Sequence, residues 1–166
     1  YRIVYDPDGR VKEFLKRRMR TPKKNWIERI VVCAEYLSWY CCPRREGNAT
    51  LAETWIERGD FISAHYCVNY AIELLLEIIY TLNNEFLPPP KWRIFYSYNL
   101  SWLPHDYRRL LEEILKVESP SVADLKRRLG AIRKMWSEIL PRIEQYTGLT
   151  RDSINQEFVK KQIHHA

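Results

Sequence analysis

Arg58 and His65 are the residues of this chain whose types and spacing could together act on a phosphodiester. They open and close the stretch RGDFISAH. A guanidinium grips a phosphate as a planar fork, and an imidazole moves protons near neutral pH. In one unbroken helix, seven residues make almost two turns, so both side chains would share a face. The residues between them oppose that geometry. Gly59 is a helix stopper and Asp60 a helix starter. Arg58 is then expected at the C-terminal end of one helix, where a cation suits the helix dipole. His65 is expected in the second turn of the next.

His65 also begins a polar series with Asn69, Glu73 and Glu77, one residue every four. Four residues turn about 400°, so the stripe drifts by only about 40° per step. Two readings fit it: a solvent edge on a half-buried helix, or the polar wall of a ligand groove. A metal site is not expected there, because one His lacks a chelating partner. Asp6 and Asp8 have the spacing of a Mg²⁺-binding pair, but Pro7 between them and Gly9 after them place the pair in a turn. PPPKWRIFYSY sets Lys91 and Arg93 among Trp92, Phe95, Tyr96 and Tyr98. Such a mixture can stack a base and hold its phosphate, or simply pack a loop over a core. Arg10 to Lys24 holds eight basic residues and one acidic one, which reads as a solvated helix face or a surface facing an anion or another domain. No Gly-rich phosphate loop, nucleophile–base pair or Cys/His zinc spacing accompanies these.

The elements that must position these residues are helices. Trp26, Ile30, Cys33 and Leu37 recur at helical intervals after Thr21 as cap and Pro22 at the first helical position. A shorter helix follows Asn48 or Thr50 and ends at Gly59. The segment from Asp60 to Asn83-Asn84 is apolar around most of its circumference, the mark of a central helix. EFLPPPKWRIFYSYNLSWLP reads as a long irregular segment, since three successive prolines exclude a helix there. HDYRRLLEEILKV and SVADLKRRLGAIRKMWSEILPRIEQYTG are amphipathic, with Pro141 expected to kink the second or begin a new segment. Asp152 or Ser153 is expected to cap a last helix. Ile3 and Tyr5 suggest one short strand running into the Asp6–Gly9 turn. The fold expected is all-α: an up-and-down bundle of five to seven helices over residues 10–166, preceded at 1–9 by the exit strand of an upstream domain.

Composition agrees with a globular domain. The chain has 166 residues, 46% hydrophobic and 29% charged, with 6 Trp and 11 Tyr. The net charge of +6 permits an anionic partner without requiring one. Cys33, Cys41, Cys42 and Cys67 have no C-x-x-C spacing and read as reduced thiols of a cytoplasmic protein. No apolar run reaches the roughly 18 to 20 residues of a membrane span, so no membrane partner is expected.

Two resemblances bear on function. An Arg followed by a few residues and a His, in a helical bundle, resembles HEPN-type ribonucleases, in which the Arg binds the scissile phosphate and the His moves a proton. IVYDPDGRV resembles the closing strand and exit turn of a nucleotidyltransferase-type domain. WIERGDFISAHYCVNYAIELLLEIIYTLNNEFLPPPKW resembles the helical domain that follows such domains, of the broad class that includes the kanamycin nucleotidyltransferase C-terminal region. The likeness spans about residues 1 to 105. It implies a non-catalytic bundle that binds an acceptor substrate or forms a dimer surface. It also implies an upstream nucleotidyltransferase-type domain that carries the Mg²⁺ carboxylates. The positions it singles out are Asp60, His65, Asn69, Lys91 and Trp92. A nucleotide, another small acceptor or RNA are the ligands it suggests. The alternative is a metal-independent HEPN-type ribonuclease using Arg58 and His65.

Overall fold

The computed structural model describes residues 6–18 and 21–164, the side chains of 15–18 and 161–164 apart. The expected strand at Ile3 and Tyr5 lies outside the described residues. The turn after it is present: the Gly9 N–H donates to the Asp6 carbonyl at 3.2 Å, and Gly9 takes a φ of 67°. The Asp6 carboxylate then accepts from the N–H groups of Val11 and Lys12 at 3.0 and 2.8 Å. It therefore satisfies the free donors at the start of α1, Arg10–Arg18.

The described residues are all-α. After α1 come α2 (Lys23–Tyr40), α3 (Leu51–Glu57) and α4 (Phe61–Leu82). A 3₁₀ turn at Pro90–Trp92 leads into α5 (Arg93–Ser97). Then follow α6 (Tyr107–Leu115), α7 (Val122–Thr147) and α8 (Arg151–His164). α4 is the centre. It packs on α2, α3 and α7, while α6 lies against α7 and α8 against α2. Its position follows from composition: Leu75, Ile78, Ile79 and Leu82 are fully buried, together with Ile30 and Leu37 of α2 and Leu125 and Ile132 of α7. Each such side chain contributes about 1.5–3 kcal/mol of transfer free energy.

Local chemistry sets the helix ends. Thr50 and Glu53 form a reciprocal capping box, with the Thr50 N–H donating to Glu53 Oε2 at 3.0 Å. Gly148 closes α7 at a φ of 75°. Three boundaries differ from the sequence reading. α2 begins at Lys23 with Pro22 as a cap that makes no side-chain hydrogen bond. α8 is capped by Thr150, whose Oγ1 accepts from the Ser153 N–H at 3.3 Å, in place of Asp152 or Ser153. The Pro-rich segment is not irregular throughout. Pro90 starts the 3₁₀ turn, where its missing N–H costs nothing, and α5 follows at once. α7 runs unbroken through Pro141; Ser137, whose carbonyl loses its helical partner there, is exposed.

Asn83 fixes the Pro-rich segment to the end of α4. Its Nδ2 donates to the Ile79 and Trp102 carbonyls at 2.8 and 2.9 Å, and its Oδ1 accepts from the Trp102 N–H at 2.8 Å. One amide thus caps α4 and anchors a loop 19 residues away in sequence.

Candidate functional site

RGDFISAH folds as a corner. Arg58 is the C-cap of α3, Gly59 turns the chain at a φ of 76°, and Asp60 caps α4. The Asp60 carboxylate accepts from the Ser63 N–H at 3.0 Å and the Ser63 hydroxyl at 2.6 Å. Those hydrogen bonds hold its pKa below the ordinary carboxylate value. The exposed Arg58 guanidinium sits 5.1 Å above the Trp55 ring centroid and forms no hydrogen bond or ion pair with His65.

His65 is held by a residue that sequence reasoning did not single out. Arg128 of α7 is 1% exposed. Its Nη1 lies 2.6 Å from His65 Nδ1, its Nη2 donates to Asn69 Oδ1 at 2.6 Å, and its Nε donates to the Ile114 carbonyl at 2.6 Å. One guanidinium therefore joins α4, the C-terminal end of α6, and α7. Arginine nitrogens only donate. His65 Nδ1 must accept, and the neutral ring carries its proton on Nε2. Burial and the Arg128 charge lower the His65 pKa, against the opposing pull of Asp124 and of the Ser119 backbone. Nε2 itself has no hydrogen-bond partner, so the Ser119 pull is weak. Asp124 is buried as well. Burial opposes its ionisation, but Arg127 at 2.6 Å and the Glu118 N–H at 3.4 Å outweigh that and lower its pKa. The signal for Arg128 was present in the sequence: it falls between Leu125 and Ile132 on the buried face of α7, where an apolar residue is expected.

The second half of the polar stripe faces elsewhere. Glu77 pairs with Arg29 of α2 at 3.0 Å, and Glu73 pairs with Arg93 of the Pro-rich segment. Arg93 Nε also donates to the Pro88 carbonyl at 2.9 Å, and its own carbonyl accepts from the Tyr80 hydroxyl at 2.7 Å. These side chains wall a groove of about 700 Å³ between α2 and α4, lined also by Phe86, Leu87, Cys33 and Tyr70. The Cys33 thiol is pushed up to about 12 by burial and by Glu77, against Arg29, so it is an inert wall rather than a nucleophile. Burial, with Cys33, Tyr36 and Tyr66 nearby, also raises the Tyr70 pKa.

The five residues singled out by resemblance are not gathered into one site. Asp60 is a cap, and His65 and Asn69 hold Arg128. Lys91 and Trp92 stand exposed beyond the other end of α4, with Lys91 Nζ 5.5 Å from the Trp92 ring centroid. His65 and Asn69 therefore do not face the space that the Lys91–Trp92 turn covers. Among the described residues no three His, Cys, Asp or Glu side chains converge as a metal site needs. Asp6 and Asp8 do not fit Mg²⁺, since Asp6 caps α1 and Asp8 lies 4.0 Å from Arg10. Comparison with protein-family models, with curated proteins and with solved structures found no match.

Proposed function

We propose that this chain is the non-catalytic helical part of a nucleotidyltransferase-like protein, an up-and-down bundle that binds an acceptor or a partner surface. In this reading an upstream domain supplies the Mg²⁺ carboxylates and the transfer chemistry. The observation that carries the binding role is the groove between α2 and α4. Its volume lies in the range of small-molecule sites. It is walled by carboxylates, guanidinium groups and one tyrosine, and it lacks an activated nucleophile. Such a groove can orient a polar acceptor by hydrogen bonds, and its Arg29–Glu77 pair exchanges partners at modest cost because Arg29 borders solvent.

Thermal-shift titration with mononucleotides tests the groove. A nucleotide at 100 times its Kd adds about 2.7 kcal/mol of stability, which raises Tm by roughly 5–10 °C in a domain of this size. Arg29→Ala should abolish the shift. No shift with any nucleotide, or a full shift in Arg29→Ala, removes nucleotide binding at the groove. The class assignment has its own test in the coding sequence upstream of Tyr1: a Gly-Ser loop followed by paired aspartates supports it, and an initiating Met a few codons earlier sinks it.

A ribonuclease using Arg58 and His65 needs the two side chains to converge, within one chain or across a dimer, and needs a histidine that shuttles protons. No contact favours it. Arg58 stacks on Trp55, and the lone pair His65 would use as a base is occupied by Arg128. RNA cleavage that His65→Ala abolishes would restore this reading.

A further inference from the structure

The turn and short helix after the three prolines carry a feature that the groove does not use. Trp92, Phe95 and Tyr96 are 42%, 60% and 45% exposed. Their centroids lie 5.3–6.1 Å apart, with Phe95 edge-on to the other two and Trp92 and Tyr96 inclined by 33°. Exposed aromatic rings grouped on one helical turn are uncommon on a surface that has nothing to bind. The segment that carries them is anchored to the rest of the fold. Arg93 ties the segment to Glu73 and Pro88, and the buried Ser97 hydroxyl accepts from the Tyr107 hydroxyl at 2.8 Å. An anchored segment leaves less chain motion to be frozen on binding.

Two cations stand at the two ends of the segment. Lys91 lies over Trp92 at the start of the segment, and Arg108 of α6 lies 4.3 Å from the Tyr98 ring centroid at its end. Unlike Arg29 and Arg93, neither forms an ion pair among the described residues. Tyr96 also borders a cleft of about 350 Å³ whose walls include Asn99, Glu85 and Ser101. Planar rings, unpaired cations and a small cleft with amide, carboxylate and hydroxyl groups are complementary to a strand with planar bases, phosphates and hydrogen-bonding base edges. A lipid surface would use the rings and cations but has no use for the polar cleft.

We propose that Lys91–Tyr98, with Arg108, is a binding platform for single-stranded nucleic acid: bases stack on Trp92, Phe95 and Tyr96, one base edge enters the cleft beside Tyr96, and Lys91 and Arg108 hold phosphates. The rings and the two cations lie outside the groove between α2 and α4, and Arg93 is the residue of the segment that borders it. Mononucleotide thermal shifts test that groove, and oligonucleotide titration tests the platform.

The experiment is fluorescence anisotropy of the full chain with labelled single-stranded RNA and DNA 12-mers, a duplex of the same sequence, and anionic phospholipid vesicles as competitor. Single strands should bind more tightly than duplex. Trp92→Ala and Tyr96→Ala should each weaken binding about tenfold, within the range expected for removing one stacking ring. Lys91→Ala combined with Arg108→Ala should reduce the slope of log affinity against log salt, by up to about 0.7 for each phosphate no longer held. Unchanged melting temperatures confirm that the variants are folded, and Phe95→Leu, which keeps an apolar side chain but removes the ring, gives a second reading if Trp92→Ala is not. The proposal is overturned if the chain binds no single strand, if binding survives loss of the rings, or if duplex binds equally well. It is also overturned if vesicles capture the chain through the same residues while oligonucleotides do not.

Discussion

At the start of α4, His65 and Asn69 turn to a buried arginine; two turns further on, Glu73 and Glu77 turn to half-exposed ones. The spacing is the same throughout, but eight residues advance about 12 Å and rotate about 80°. The first pair therefore meets α7, and the second meets α2 and the Pro-rich segment. Burial then separates their roles. Arg128 has no open side, and its hydrogen bonds all run to uncharged acceptors, so they are strong and costly to leave unmade. Arg29 borders solvent and meets a carboxylate, an arrangement worth little to stability and open to exchange with a ligand. A polar stripe on a helix is thus not one surface: what faces each step decides whether it holds the fold or remains available to bind.

Removing Arg128 is the strongest way to break this comparison. Arg128→Met keeps the apolar stem and deletes the guanidinium, leaving the Ile114 carbonyl, His65 and Asn69 without their donor. The expected loss is about 2–3 kcal/mol in urea unfolding, from the buried Ile114 carbonyl and the half-buried His65 left unpaired, while the exposed Asn69 turns to water. A loss under about 1 kcal/mol would mean that His65 and Asn69 are not committed to the fold, and would return them to the binding candidates.

Gly59→Ala tests the corner that sets where α4 begins, and its sign is decisive. At a φ of 76° an added Cβ meets no neighbouring atom, but the backbone conformation itself is strained. The variant should lose about 1 kcal/mol. Were Arg58 and His65 on one continuous helix, the same change would gain about 1 kcal/mol from helix propensity.

The corner was legible in the sequence because its signals are local: an αL glycine, an aspartate cap, and the Ser63 it captures three residues on. The central place of α4 was legible too, since apolar residues around most of its circumference need neighbours on several sides. Arg128 was not, because its partners lie 63 and 59 residues away and only the exclusion of water from α7 makes it structural. Its one trace, a cation within an apolar stripe, equally suits a charged side chain that reaches past the stripe to solvent. α5 was hidden for the opposite reason. Pro88 and Pro89 do exclude a helix, but Pro90 at a first helical position starts one, and the Pro88 carbonyl bonded to Arg93 fixes the start.

A smaller effect comes from pH. In the folded chain the His65 pKa lies below its ordinary value of 6.5, because burial and Arg128 disfavour the imidazolium. The unfolded chain therefore binds the proton more readily, so stability is full above about pH 6.5 and falls as pH drops below it. The other groups facing the ring are Asp124, which pulls the opposite way, and the Ser119 backbone. His65→Gln supplies an uncharged acceptor for Arg128 that does not titrate. Unfolding free energies measured from about pH 7.5 to about pH 5.5 should decline less in His65→Gln than in the parent chain. Equal slopes would mean that His65 is not the group that titrates.

The smallest stability effect belongs to the other end of α4. Arg29→Ala breaks the bond to Glu77 on a half-exposed face, and the expected loss is under about 1 kcal/mol. The same change should remove the nucleotide-dependent thermal shift, because it takes away one of the two guanidinium groups that line the groove. Stability and binding then separate in opposite senses at the two ends: Arg128→Met unfolds the chain at lower urea, whereas Arg29→Ala leaves it folded and unresponsive. If Arg29→Ala instead cost as much as Arg128→Met, the groove would be part of the structural core. The difference between the two halves of the helix would then lie in their partners alone and not in what they do.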